Sequence, residues 1–311
     1  LVEFLRFIGR TGRRHPWQTM GSLPRLLVYS FVPRLAPRRA VAPILTSLDA
    51  DEAARAFLRD GYVVLSDGLS EDEVAALRCL VEAKATEVVR LENAGELPGR
   101  NPWRDPRRYS FGDYGTCPEW AYLARNEPVV EVLRRIWKGR DFAAWKAGGD
   151  FVFPGGTWQP IHSDLLWNSA GDDVPPTIVV DYYVAEVPAD NGPIRFVPGT
   201  GRFPPPNRVV ERFEPTWMKQ STITGHPGFV VIRDPRGWHG GTPNTSAEPR
   251  YMPDVVYALR DAPAAAAAFL KMTAPSAATR IAEFPNGQLV GTSASGQSES
   301  PGDRAAEAPH L

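Results

Sequence analysis

The hydrophobic and polar positions follow two periodicities, helical in the first half of the chain and extended in the second. Over residues 51–59 apolar positions recur at helical spacing, and the run Tyr62, Val63, Val64 within 61–65 favours extended backbone, so a short helix leading into a strand is predicted. Ser70 stands three residues before Glu73, where each side chain can bond the other's backbone amide. Val74, Leu77, Leu80 and Val81 then continue at helical intervals to about residue 91. A third helix is predicted over 128–138, with Val129, Val132, Leu133 and Ile136 on one stripe. Beyond it the texture changes. Short apolar runs divided by Gly and Pro predict strands at 142–145, 150–153, 158–164, 178–187, 194–197, 229–233 and 251–259, followed by an Ala-rich helix over 261–272. The expected class is mainly β with flanking helices, arranged as a barrel or sandwich.

Composition divides the chain further. Residues 1–48 form a basic N-terminal extension: Arg6, Arg10, Arg13, Arg14, Arg25, Arg34, Arg38 and Arg39 face a single acid, Glu3, among its first 45 residues. It reads either as a solvated arm, since prolines interrupt any continuous amphipathic helix, or as a targeting or membrane-surface segment. Residues 49–272 hold the periodic patterns and form the folded domain. Residues 273–311, rich in Ser, Ala, Gly and Pro, are expected to be disordered. A formal net charge of −1 gives no electrostatic footprint for nucleic acid. No run approaches eighteen consecutive apolar residues, so no transmembrane helix is expected. Two isolated cysteines, Cys79 and Cys117, are too few for a disulfide framework and fit a reducing, cytoplasmic setting.

Candidate chemistry concentrates in the β-rich half. Of the five histidines, His15 and His310 lie in the terminal segments, and His226 reads as a loop residue. That leaves His162 and His239. In an extended strand residues two apart share a face, so His162 and Asp164 can present an imidazole and a carboxylate together, and His239 can join them from a return strand. Two imidazoles and one carboxylate on one face of an octahedron leave three positions open, as non-haem Fe(II) oxygenases require. Arg250 opens the strand at 251–259 and reads either as a buried clamp for a carboxylate or as a surface partner of Glu248. Asp181 shares its strand face with Val179 and Tyr183 and suits an outer support or a substrate contact. Trp158 and Trp167 flank the ligand strand and read as core packing or as lining of a substrate mouth. Arg100, Arg104, Arg107 and Arg108 suit a solvated loop or a receptor for an anionic substrate arm. Asn191-Gly192 is a turn signal.

Taken together, His162-Ser163-Asp164, the run from Asp190 through Asn191-Gly192-Pro193 to Pro198-Gly199-Thr200, and Pro227-Gly228-Phe229 leading to Trp238-His239-Gly240-Gly241 resemble the phytanoyl-CoA dioxygenase family. Asn244, Ser246 and Arg250 continue the signature, and Gly61 to Leu65 with the helix at Ser70 resembles the family's opening. The similarity spans about residues 50–260; Phe229 and the Pro-rich insertion at 203–207 depart from the family pattern. The resemblance implies a double-stranded β-helix of the jelly-roll, cupin-like kind, with Fe(II) on His162, Asp164 and His239 and the co-substrate 2-oxoglutarate held by Arg250. It also implies oxidation of a small-molecule or lipid-like substrate with release of succinate and carbon dioxide. Related halogenases have a small residue in place of the carboxylate ligand, so Asp164 favours hydroxylation or desaturation. Two rivals stand beside this reading: a zinc hydrolase using the same ligands, against which Arg250 argues, and a non-catalytic barrel acting as a binding module.

Overall fold

A computed structural model of the protein describes residues 42–96, 105, 107–111, 117–159, 161–164, 174–201, 220–262 and 282–284. Its helices are α1 (Ala50–Asp60), α2 (Glu71–Asn93) and α3 (Glu127–Ile136). The strands are β1 (Ile44–Leu45), β2 (Tyr62–Leu65), β3 (Arg108–Ser110), β4 (Phe142–Val152), β5 (Thr177–Tyr182), β6 (Ile194–Phe196), β7 (Ser221–Thr222), β8 (Val230–Arg233), β9 (His239–Gly241), β10 (Arg250–Leu259) and β11 (Ala282–Phe284). Helix α2 begins where the capping spacing predicts: the Glu73 amide donates to Ser70 Oγ, and Glu73 Oε2 accepts from the Ser70 amide at 2.8 Å.

Among the described residues the larger sheet runs β1-β2-β8-β5-β10-β4-β11, with β3 also on β4, and the smaller runs β7-β6-β9. Alternation sorts the large sheet's residues onto two faces. Val63, Leu65, Val230, Ile232, Val180, Tyr182, Val255 and Tyr257 pack with Phe57, Val129, Leu133 and Ile136 of the helices, and this is the main core. The opposite face sends Tyr62, Val64, Val231, Tyr183 and Met252 against Ile194 and Phe196 of the small sheet. Tyr62 stacks on Phe196 there at 4.6 Å between ring centroids. This inner face also carries charge: Arg233, Asp181, Asp254, Lys146 and Arg250 fall on it by the same alternation and register.

The mainly β class with flanking helices is therefore the one observed, and several boundaries move. The strands expected at 142–145 and 150–153 are one, β4, because Gly148 and Gly149 continue it instead of breaking it. Gly149 has φ +121°, and a Cβ there would sit 2.2 Å from the Met252 carbonyl, so glycine is needed for β4 and β10 to approach. The strand expected over 178–187 stops at Tyr182. The strand expected over 158–164 is not continuous: among its described residues only His162 makes a bridge, to His239. Phe284 of β11 stacks on Phe142 at 4.8 Å, so a segment inside the 273–311 tail joins the sheet edge. Residues 1–41, Trp167, the insertion at 203–207 and residues 263–272 of the Ala-rich helix lie outside the described residues. No helix among the described residues is long and apolar enough to cross a membrane.

Candidate metal centre

Main-chain pairing brings the two histidines together. The His162 amide donates to the His239 carbonyl and the His239 amide to the His162 carbonyl, both at 2.9 Å, and the rings lie 4.5 Å apart. Two residues on, the Asp164 amide donates to the Pro235 carbonyl at 2.9 Å, which turns its side chain to the same spot. His162 Nε2 is 3.4 Å from Asp164 Oδ1, and His239 Nε2 is 3.2 Å from Asp164 Oδ2. One nitrogen or oxygen from each of the three side chains lies within 4.8 Å of the others, a spacing one metal ion can span. His239 Nδ1 lies 2.8 Å from the Gly237 carbonyl, so it carries the proton and donates, leaving the Nε2 lone pair for a metal.

The electrostatics suit a cation. Burial holds His239 below the ordinary imidazole value, so the ring is neutral, as ligation needs. For Asp164 burial would raise the carboxyl, but the His239 ring, the hydrogen bond with His162 and the Arg233 guanidinium outweigh it and hold it well below the usual carboxylate range. The site thus offers two imidazoles, that of His239 neutral, and one ionised carboxylate.

Arg250 is buried, with Nη1 3.1 Å from Met252 Sδ, and its Nε is shut off from solvent without a hydrogen-bond partner. The surface pairing with Glu248 is excluded by that burial. An orphaned guanidinium N–H on the inner face is the feature an incoming carboxylate would satisfy. Asp181 is likewise buried on the inner face and accepts from Arg233 Nε at 2.8 Å. It is a support, its near oxygen already engaged. Trp158 is 56% exposed, so the core-packing reading fails; the Arg195 guanidinium lies over its ring at 4.3 Å. His226 is an exposed residue paired with Glu186.

Three arginines take parts the sequence reading did not assign. Arg108 is no solvated loop residue: it is buried and donates to the Thr157 and Thr242 carbonyls. Arg195 Nη1 donates to the Gly241 carbonyl at 2.6 Å and Nη2 to the Gln159 carbonyl at 2.9 Å, tying β9 to the segment that leads to His162. Arg233 bonds both Asp181 and Asp164. Its signal was present in the sequence as a charge closing the apolar strand Phe229 to Ile232, two residues on from inward-facing Val231.

Half-buried Asp254 lies opposite Asp181 in the β10–β5 register, and its Oδ1 is closed off from solvent without a partner. Burial and then the Asp181 charge push its carboxyl up to about 8, against a partly offsetting Lys146. An unfolded aspartate titrates near 3.9, so between these values the folded state binds the extra proton. Stability from this group is full at the acid end and is lost as pH rises through about 8. Asp254→Asn keeps the shape and removes the proton, so its melting temperature falls less between pH 6 and pH 9 than the parent's. Equal slopes in thermal melts of the two proteins would clear Asp254 as the source.

A sheet-dominated fold with a His-Asp-His cluster between its two sheets defines the class of iron- and 2-oxoglutarate-dependent oxygenases. The sequence profile of Phytanoyl-CoA dioxygenase (PhyH) matches residues 57–252, and the chain belongs to that family. It is 27% identical over 236 residues to the "Multifunctional dioxygenase prhA" of Penicillium brasilianum, covering 70% of this chain and 74% of the relative. Among solved structures it resembles the non-heme alpha ketoglutarate dependent carbocyclase SnoK from nogalamycin biosynthesis, with a TM-score of 0.53, 22% identity, and coverage of 70% of this chain and 87% of that one. It also resembles EctD from S. alaskensis with bound Fe, with a TM-score of 0.51, 24% identity, and coverage of 71% and 85%. The protein is a dioxygenase of the iron and 2-oxoglutarate type, and its donor set fits both groups.

Proposed function

We propose that His162, Asp164 and His239 hold Fe(II), that Arg250 grips the far carboxylate of 2-oxoglutarate, and that the enzyme hydroxylates a small organic substrate. The observation that carries this is the unpartnered, buried Nε of Arg250 on the same inner face as the His-Asp-His cluster. A cation is rarely buried without an anion to meet it. A zinc hydrolase has no use for that guanidinium. When bound, Fe(II) and 2-oxoglutarate supply dioxygen activation coupled to decarboxylation, with succinate and carbon dioxide as products.

The chain's own part is binding, orientation and exclusion. His239 stays neutral through burial and presents Nε2 because Nδ1 is spent on Gly237. Asp164 stays ionised against the same burial. Arg250 fixes the co-substrate's orientation by pairing at its distal end, and Val179 and Val256 form a small apolar patch among the charges of the inner face. Trp158, exposed and with the Arg195 guanidinium over its ring, is assigned to the substrate mouth. In this reading the two sheets are the halves of a double-stranded β-helix, and the oxygenase domain is 49–272 extended by β1 before it and β11 after it. A relative in Bordetella bronchiseptica, 26% identical over 239 residues, is described as an ectoine dioxygenase, which supports a small-molecule substrate over a macromolecule.

The test is anaerobic loading with Fe(II) and 2-oxoglutarate, followed by oxygen. A visible charge-transfer band that needs both components, and succinate formation that a small-molecule panel stimulates, are expected. Neither band nor succinate from well-folded protein would remove the assignment.

A further inference from the structure

The three ligand side chains are not equally well anchored. His162 and His239 are locked by their own reciprocal backbone bonds, and the His239 ring is further fixed by Gly237. Asp164 lies beyond the last bridge, with one backbone bond to Pro235, and its side chain is 23% exposed. A carboxylate so placed can rotate, and either oxygen can face a metal, unless something outside its own segment holds it.

Arg233 supplies that hold. It closes β8 on the inner face, and its buried guanidinium grips two acids: Nε donates to Asp181 Oδ2 at 2.8 Å and Nη1 to Asp164 Oδ2 at 2.9 Å. Nη1 is also 3.5 Å from His239 Nε2. Asp181 is a firm brace, since β5 is hydrogen-bonded on both sides, to β8 and to β10, and the residue is almost wholly shut off from solvent. A guanidinium in such a place loses its hydration, and only paired acids make this up. The fork geometry lets one side chain serve both, which a lysine's single ammonium head cannot reproduce.

We propose that Arg233, braced by Asp181, is a positioning residue for Asp164: it occupies Oδ2 and leaves Oδ1, the oxygen facing the His162 ring, to the metal. The inference rests on the metal reading above. A carboxylate that offers one oxygen keeps free the positions that a two-oxygen grip would take, and those positions are where co-substrate and oxygen bind. The same contact places a permanent positive charge beside the ion, which tempers the donor strength of the carboxylate.

The experiment titrates Co(II) into metal-free, full-length protein, reading the dissociation constant by calorimetry and the ligand field by visible absorption. Thermal melts of the metal-free proteins run alongside. Arg233→Gln is expected to weaken Co(II) binding by about 10- to 100-fold, the range for loss of an outer partner of a ligand, and to change the Co(II) spectrum. Asp181→Asn keeps the cation but loses the brace, so a smaller loss in the same direction is expected. Arg233→Lys keeps the charge without the two-acid grip and stays nearer to Arg233→Gln than to the parent. If Arg233→Gln does not melt cooperatively, Asp181→Asn decides. Parental affinity and spectrum in both Arg233→Gln and Asp181→Asn overturn the proposal even if the melts shift, since a merely structural role moves only the melts. Parental values in Arg233→Lys overturn the two-acid grip. Failure of the metal reading looks different: the parent binds no Co(II), or His239→Ala binds it as well as the parent, and both inferences then fall together.

Discussion

Changing His239 to alanine lowers Co(II) affinity by well over the roughly 10- to 100-fold expected for an outer-partner change, and ends succinate formation from 2-oxoglutarate. The ring contributes one of the cluster's two imidazoles, and with Nδ1 bonded to Gly237 it presents Nε2 to the cluster. The fold tolerates the change because β9 is held by main-chain atoms: the bridge to His162 and the pairing with β6 remain. Cooperative melting with lost metal binding is therefore the expected pair of results. Parental Co(II) affinity in a folded His239→Ala protein would place the metal elsewhere.

Arg250→Met has an effect of opposite sign on stability and on binding. Truncating one partner of a buried charge pair costs about 2–5 kcal/mol, so the affinity for 2-oxoglutarate falls by about 30- to 5,000-fold. Metal affinity stays near the parental value, since the Arg250 guanidinium sits against Met252 Sδ rather than against a ligand of the cluster. Without co-substrate the variant melts higher than the parent, because an incompletely paired guanidinium is replaced by an apolar side chain that fits among Met252 and Tyr183. Anaerobic titration of 2-oxoglutarate into the Fe(II) form and a melt of the free protein check both halves. Undiminished 2-oxoglutarate affinity would remove Arg250 from that role.

Much of this was readable from the chain, for identifiable reasons. The Ser70–Glu73 spacing and the helical stripe of α3 are local signals, and both elements form within a few residues of their expected bounds. The His162, Asp164 and His239 cluster could be picked out because only three histidines stand in the β-rich half and Asp164 follows His162 by two residues, and Arg250 because it opens a predicted strand. What the sequence hid was relational. The strand expected through His162 shrinks to one bridge because pairing partners, not propensity, decide which residues extend. Strand β9, His-Gly-Gly, has poor strand propensity and forms because β6 and His162 flank it. Arg108, Arg195 and Arg233 look like surface charges in a list of residues. Their burial depends on carbonyls and carboxylates 36 to 134 positions away along the chain, which no local pattern encodes.

The reciprocal bond pair between His162 and His239 has a practical corollary for redesign. Its atoms are backbone, so the bridge that sets the two residues side by side does not itself depend on which side chains surround it. Substituting the exposed Trp158 leaves that bridge in place, so the surface beside the cluster and the backbone that carries two of its members are separable targets for redesign.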